Sequence, residues 1–141
     1  MKEFFSCCEN DTMDIARTIC ADIPKGSVVA FSGGMGMGKT AFVRGAIKAY
    51  GNDAHVSSPT FSLVHEYTGN PNIYHFDMYR VTDLDDLYST GFFDYLDGES
   101  ILFIEWSENI TDALPENTVY IRIELGDDPS HRKITVSGGN F

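Results

Sequence analysis

Residues 33–40 read Gly-Gly-Met-Gly-Met-Gly-Lys-Thr and follow the short apolar run Val28-Val29-Ala30-Phe31. This is the spacing G-x-x-x-x-G-K-[ST], with Gly33, Gly38, Lys39 and Thr40 at the fixed positions. Few other octapeptides constrain a fold as tightly, because the motif works only between a strand and a helix. Glycines let backbone N–H groups turn inward around phosphate oxygens without a Cβ clash. Lys39 reaches the β- and γ-phosphates as a point charge, and the Thr40 hydroxyl is a magnesium ligand. A helix opening near Lys39 adds its positive dipole end. The segment Ala41-Phe42-Val43-Arg44-Gly45-Ala46-Ile47 has the helical character this requires.

The rest of the chain reads as one domain over residues 1–141, without internal repeat, linker or low-complexity tract. Lys2–Ser6 is a short strand. Asn10-Asp11-Thr12 offers caps for a helix to about Ala21, with Ile15, Ala16 and Ile19 on one face. Ser27–Phe31 is the strand before the glycine-rich loop, and the helix after it ends near Tyr50. Phe61–Tyr67 and Ile73–Tyr79 flank the turn Gly69-Asn70-Pro71-Asn72 and predict a hairpin. Asp83–Tyr88 is a short helix. Ile101-Leu102-Phe103-Ile104 is apolar throughout, as a strand buried on both faces should be. Val119–Leu125 and Lys133–Val136 alternate as late strands. This order predicts an α/β, three-layer P-loop NTPase-like fold with a mixed, partly parallel central sheet.

A phosphate loop needs a second acid for the metal, usually at the end of a buried strand. The run 101–104 leads straight into Glu105-Trp106, which makes Glu105 the candidate for Mg²⁺, directly or through water. Asp77, ending Tyr74-His75-Phe76, is the second acid, as a water-positioning base or outer-sphere partner. Arg80 follows Asp77 and could pair with it or reach phosphate, with a structural ion pair the favoured role. His55, His65, His75 and His131 do not fall at ligand spacing, so a histidine metal site is not expected. Trp106, the single tryptophan, reads either as core or as an exposed partner-binding aromatic. Ser58-Pro59-Thr60-Phe61 is either a segment that senses the γ-phosphate or an ordinary turn.

Composition limits the function classes. The net charge of −11 makes the overall field oppose a nucleotide, so positive potential must be supplied at the loop itself. It also argues against direct nucleic-acid binding, since ten Lys and Arg are scattered with no basic stripe. No apolar stretch approaches a membrane span, and the N-terminus does not read as a signal peptide. The three cysteines have no C-x-x-C spacing, which fits reduced thiols and a cytoplasmic location. Neither N-K-x-D nor D-x-x-G occurs, and no segment concentrates arginines as a kinase lid does. ATP hydrolysis is therefore favoured over GTP hydrolysis. The alternatives left open are a small-molecule P-loop kinase and a nucleotide-gated binding module.

Taken together, the phosphate loop, Ser58-Pro59-Thr60-Phe61, His75-Phe76-Asp77-Met78-Tyr79-Arg80 and Ile104-Glu105-Trp106 resemble, in order and spacing, the TsaE (YjeE) family. These are small bacterial ATPases of tRNA threonylcarbamoyladenosine modification. The resemblance covers the chain from the Thr12 region to Arg132. It implies ATP and Mg²⁺ as cofactors, weak intrinsic ATPase activity, and work in a complex with the TsaD and TsaB proteins, which brings tRNA in only indirectly. It also implies that Thr40 and Glu105 are the magnesium positions. Lys39, Asp77, Glu105 and Trp106 are then the residues needed for activity. The ATP-contacting set is Thr12, Gly33, Gly36, Met37, Gly38, Lys39, Thr40, Ala41 and Arg132, with Thr12 and Arg132 near the base. The chain departs from the family at Gly34, where an Asp is common, at Met35 and Met37, where Leu and Ala are common, and at Ser107, where Pro often follows Glu-Trp.

Overall fold

A computed structural model describes residues 1–32, 38–51 and 64–141. The elements run β1 (Lys2–Ser6), α1 (Glu9–Cys20), β2 (Val28–Ser32), α2 (Lys39–Ala49), β3 (Val64–Tyr67), β4 (Ile73–Asp77), α3 (Leu84–Ser89), β5 (Ile101–Glu105), β6 (Val119–Leu125) and β7 (Arg132–Gly138). Short 3₁₀ helices lie at Phe92–Tyr95 and Ser107–Ala113. The strands form one sheet in the order β1-β7-β6-β2-β5-β4-β3. Its centre is parallel, with β2 between β5 and β6 and β4 outside β5. Its two edges are antiparallel, through β3 on β4 and through β7 and β1 beyond β6. The mixed α/β sheet expected from the order of elements is thus the observed one.

Burial explains the strand patterns. The first four residues of β2, β4 and β5 are all buried, as central strands covered on both faces must be. β6 alternates buried and less buried positions along most of its length. Two apolar clusters lie on opposite faces of the sheet. One joins Val29, Phe31 and Phe103 to Ala16 and Ile19 of α1 and to Phe42 and Ile47 of α2. The other joins Phe76, Leu102 and Ile104 to Leu87 of α3 and to Phe92. Within the first cluster, Phe31 meets Phe42 edge-on at 5.4 Å and stacks on Phe103 at 5.9 Å. These contacts tie the strand before the glycine-rich loop to the helix after it and to the strand that carries Glu105.

α1 starts earlier than its polar residues suggest. Cys8, in extended conformation, occupies the N-cap, and Asn10, Asp11 and Thr12 lie inside the helix. Thr12 is turned inward instead. Its hydroxyl is 2.7 Å from the buried Ser6 Oγ, and it is 2% exposed. A tertiary hydrogen bond from the β1 end has replaced the capping role. α3 shows the opposite outcome, with Asp83 accepting from the Asp86 N–H at 2.8 Å as a true N-cap. Cys7, Cys8 and Cys20 are all free. Burial pushes the Cys20 thiol up to about 12, so it is inert in the core.

Gly45 sets the approach of the two long helices. A Cβ there would lie 2.7 Å from Met13 Cα and even nearer the Met13 carbonyl oxygen. Backbone cannot yield as a flexible side chain does, so α1 must move. Gly45→Ala is expected to destabilise the fold by about 2 kcal/mol, the cost of overpacking outweighing the better helix propensity of alanine. Chemical denaturation of the two proteins checks this. A midpoint equal to or above that of the parent would contradict the close packing.

Candidate functional site at the carboxyl edge of the sheet

The topology brings most of the expected site residues to one edge. β2, β4, β5 and β6 are mutually parallel, so their carboxyl ends lie together. That edge carries Ser32 at the end of β2, Asp77 at the end of β4 and Glu105 at the end of β5. β7 runs antiparallel to β6 and begins there with Arg132, which stands abreast of Ser6 at the end of β1. Thr12, bonded to Ser6, belongs to the same edge. Ligand sites of open α/β sheets form at such edges. Gly33, Gly36 and Met37, with Gly34 and Met35, lie outside the described residues, as does Ser58-Pro59-Thr60-Phe61.

The loop re-enters at Gly38, whose φ of 99° is a left-handed conformation that glycine adopts without strain. Lys39 then opens α2, and the first intrahelical bond runs from Phe42 N–H to the Gly38 carbonyl at 3.0 Å. The amides of Lys39, Thr40 and Ala41 therefore precede the helical ladder and are donors in search of an acceptor. Lys39 itself is only 6% exposed. Its ammonium lies over the Trp106 ring, whose centroid is 5.6 Å from Nζ. A lysine so deeply buried is nearly always paired with an anion. An ammonium over an aromatic face, beside three amides that no intrahelical bond uses, describes a seat for an anion of high charge.

The acids are in register. Asp77 and Glu105 are directly paired across β4 and β5, and β5 is hydrogen-bonded next to β2. This meets the condition under which Glu105 lies beside the glycine-rich loop. The Asp77 carboxylate accepts from the Tyr79 N–H at 2.8 Å, and Met78 N–H donates to the Glu105 carbonyl at 3.0 Å. The expected Arg80 ion pair does not form among the described residues. Asp77 has turned to the backbone of Tyr79, and Arg80 is exposed at the rim of a groove lined by Tyr79, Val81, Thr82, Trp106 and Asn109.

Trp106 is neither core nor a free surface aromatic. It is half-buried against the second apolar cluster, with its ring 4.9 Å from that of Tyr79 and the Lys39 ammonium over it. Its backbone is left-handed, φ 59° and ψ 39°, a conformation that costs a bulky residue about 1–2 kcal/mol. The strain reverses the chain after Glu105. Ser107 is then carried back to donate its hydroxyl to the Phe31 carbonyl at 2.9 Å, in a buried bond. Asn109 fastens the next turn by donating to the Met78 carbonyl at 2.9 Å. The Ser107 bond joins the segment after Glu105 to the strand that enters the glycine-rich loop, a role that a proline at that position could not fill.

Two features of the site carried no local signal. One is this Ser107 bond. The other is His75, which is fully buried and places Nε2 2.6 Å from Glu105 Oε2. The two are in contact, but the ring N–H is out of line with the oxygen. Nδ1, Nε2 and Oε2 are consequently all left without an aligned hydrogen bond. No cluster of three or more His, Cys, Asp or Glu suited to a metal occurs among the described residues.

Comparison with known proteins matches this arrangement over most of its length. The family model described as threonylcarbamoyl adenosine biosynthesis protein TsaE matches residues 7–134. The chain belongs to the TsaE family. It is 35% identical over 134 residues to the tRNA threonylcarbamoyladenosine biosynthesis protein TsaE of Treponema pallidum, covering 93% of this chain and 98% of that one. It is 41% identical over 105 residues to the protein of the same name from Haemophilus influenzae, covering 74% of this chain and 66% of that one. The crystal structure of YdiB from Bacillus subtilis superposes with a TM-score of 0.80 at 27% identity, covering 99% of this chain and 86% of that one. The TsaE-family match spans β2, α2, β4 and β5, the four elements that build the edge, and includes Arg132. In this TsaE-family chain no helix among the described residues is long and apolar enough to cross a membrane.

Proposed function

We propose that this TsaE-family chain is an ATPase of tRNA threonylcarbamoyladenosine biosynthesis. It binds ATP with Mg²⁺, hydrolyses it slowly on its own, and works with TsaD and TsaB. Those partners carry the threonylcarbamoyl group to adenosine 37 of tRNAs reading codons that begin with A. One observation supports the reading above the others, the buried Lys39 that lacks an anionic partner among the described residues and heads α2. The chain itself is strongly acidic and has no broad basic surface for tRNA, so it meets the tRNA through the complex. Free thiols at Cys7 and Cys8 suit the reducing cytoplasm, where we place it.

The residues present fit magnesium in the manner usual for nucleotide sites. Magnesium there takes one or two protein oxygens and the phosphates rather than a full protein cage. The Thr40 hydroxyl and the Glu105 carboxylate would hold it. When bound, the ion neutralises charge that develops on the transferred phosphoryl group. Lys39 and the amides of Lys39, Thr40 and Ala41 bind and orient the phosphates. Asp77, held by the Tyr79 amide, is placed to accept a hydrogen bond from the attacking water. Thr12 and Arg132 lie at the nucleotide-base end of the same edge, where Arg132 already uses its guanidinium on the Pro129 and His131 carbonyls.

The test is the fate of the γ-phosphate of labelled ATP. Release as inorganic phosphate, independent of any acceptor, is the expected result. Label transferred to an added small-molecule acceptor would make the chain a kinase. No turnover, with or without partners, would make it a nucleotide-gated binding module.

A further inference from the structure

We infer that His75 is a positioning residue for Glu105, holding its carboxylate in the orientation that the metal site uses. The inference rests on the metal role given to Glu105 above. His75 stands on β4 two residues before Asp77, and Glu105 is the register partner of Asp77 on β5. Residues two apart on a strand share a face, so His75 reaches Glu105 along the diagonal. The contact brings Nε2 to 2.6 Å from Oε2. At that separation two lone pairs would repel, so the tautomer that suits the contact carries its proton on Nε2.

The burial makes this more than a chance neighbour. His75 is 0% exposed and the Glu105 side chain 13%. A buried imidazole normally satisfies both nitrogens, yet Nδ1 has no partner and Nε2 has only the misaligned carboxylate. An apolar residue would fill the same space without that cost. What the imidazole adds is a polar ring nitrogen held against one oxygen of one acid. The other oxygen of Glu105 is then the one this inference gives to the metal. Donor contacts behind a ligating group fix its orientation, and their loss typically lowers metal affinity about 10–100-fold.

The test uses Mn²⁺ as the probe, titrated into the protein complexed with a non-hydrolysable ATP analogue, with free Mn²⁺ read by electron paramagnetic resonance. His75→Leu is expected to weaken Mn²⁺ about tenfold while nucleotide binding without metal stays unchanged. His75→Gln, which returns an N–H near the Nε2 position, is expected to recover most of the loss. Glu105→Gln should weaken Mn²⁺ at least as much, and adding His75→Leu to it should cost nothing further, because the histidine acts only through that acid. Circular dichroism establishes that each variant is folded. Should His75→Leu not fold, His75→Asn, which draws the donor away from Glu105, carries the same expectation. Wild-type Mn²⁺ affinity in the folded histidine variant, or a loss that adds in full to that of Glu105→Gln, overturns the inference and leaves the ATPase reading standing. Wild-type affinity in Glu105→Gln overturns the metal role of Glu105 itself, and the inference with it.

Discussion

Lys39→Ala is expected to weaken ATP binding about a hundredfold and to leave the protein folded. The size follows from what the side chain replaces. An ammonium shared between two phosphates makes two charge-assisted hydrogen bonds of about 1.5 kcal/mol each, and 1.4 kcal/mol is a factor of ten. The effect should be larger here than in a basic protein. With a net charge of −11 the surrounding field does not retain the nucleotide once the local charge is gone. Stability should change little. Alanine is a better helix former than lysine at the start of α2, and the contact over Trp106 that disappears is worth about 0.5–1 kcal/mol. Calorimetric titration with ATP, alongside thermal unfolding, reads both. Unchanged affinity in a folded variant would mean that the nucleotide binds elsewhere.

Much of this site could be read from the sequence because its parts are local. A strand, eight residues and a helix announce the phosphate seat, and an apolar run ending in an acid announces Glu105. The mixed sheet followed from the order of elements and the hairpin at Gly69–Asn72. What stayed hidden depends on which strands become neighbours. His75 reads as an ordinary strand residue until β4 is laid beside β5, since its partner is distant in sequence and two positions out of step. Ser107 reads as a departure from the common proline until its hydroxyl is seen on the Phe31 carbonyl. Thr12 shows the reverse error. Asn10, Asp11 and Thr12 all have the chemistry of an N-cap, but the helix begins before them because Ser6 claims the Thr12 hydroxyl from the side. Proximity in sequence pairs Arg80 with Asp77, whereas the Asp77 carboxylate accepts from the Tyr79 amide.

The second large effect concerns partners. Phosphoryl transfer is fast when a second cation is ordered on the developing charge, and such a group raises turnover about 10³–10⁵-fold. Four of the five arginines of this chain are otherwise engaged. Arg17 lies on Asp14, Arg44 on Glu9 and Arg122 on Glu124, while Arg132 donates to two carbonyls. Arg80 faces solvent at the rim of the Trp106 groove, with no anion among the described residues to fix it. The isolated chain should therefore bind ATP better than it hydrolyses it. A partner that orders Arg80, or brings a cation of its own, should release the reaction.

The most direct test is the steady-state rate of phosphate release from ATP, measured on the purified chain alone and after addition of TsaD and TsaB. The expected result is slow turnover that rises at least about tenfold with both partners present. Fast turnover by the chain alone, unchanged when the partners are added, would contradict the account.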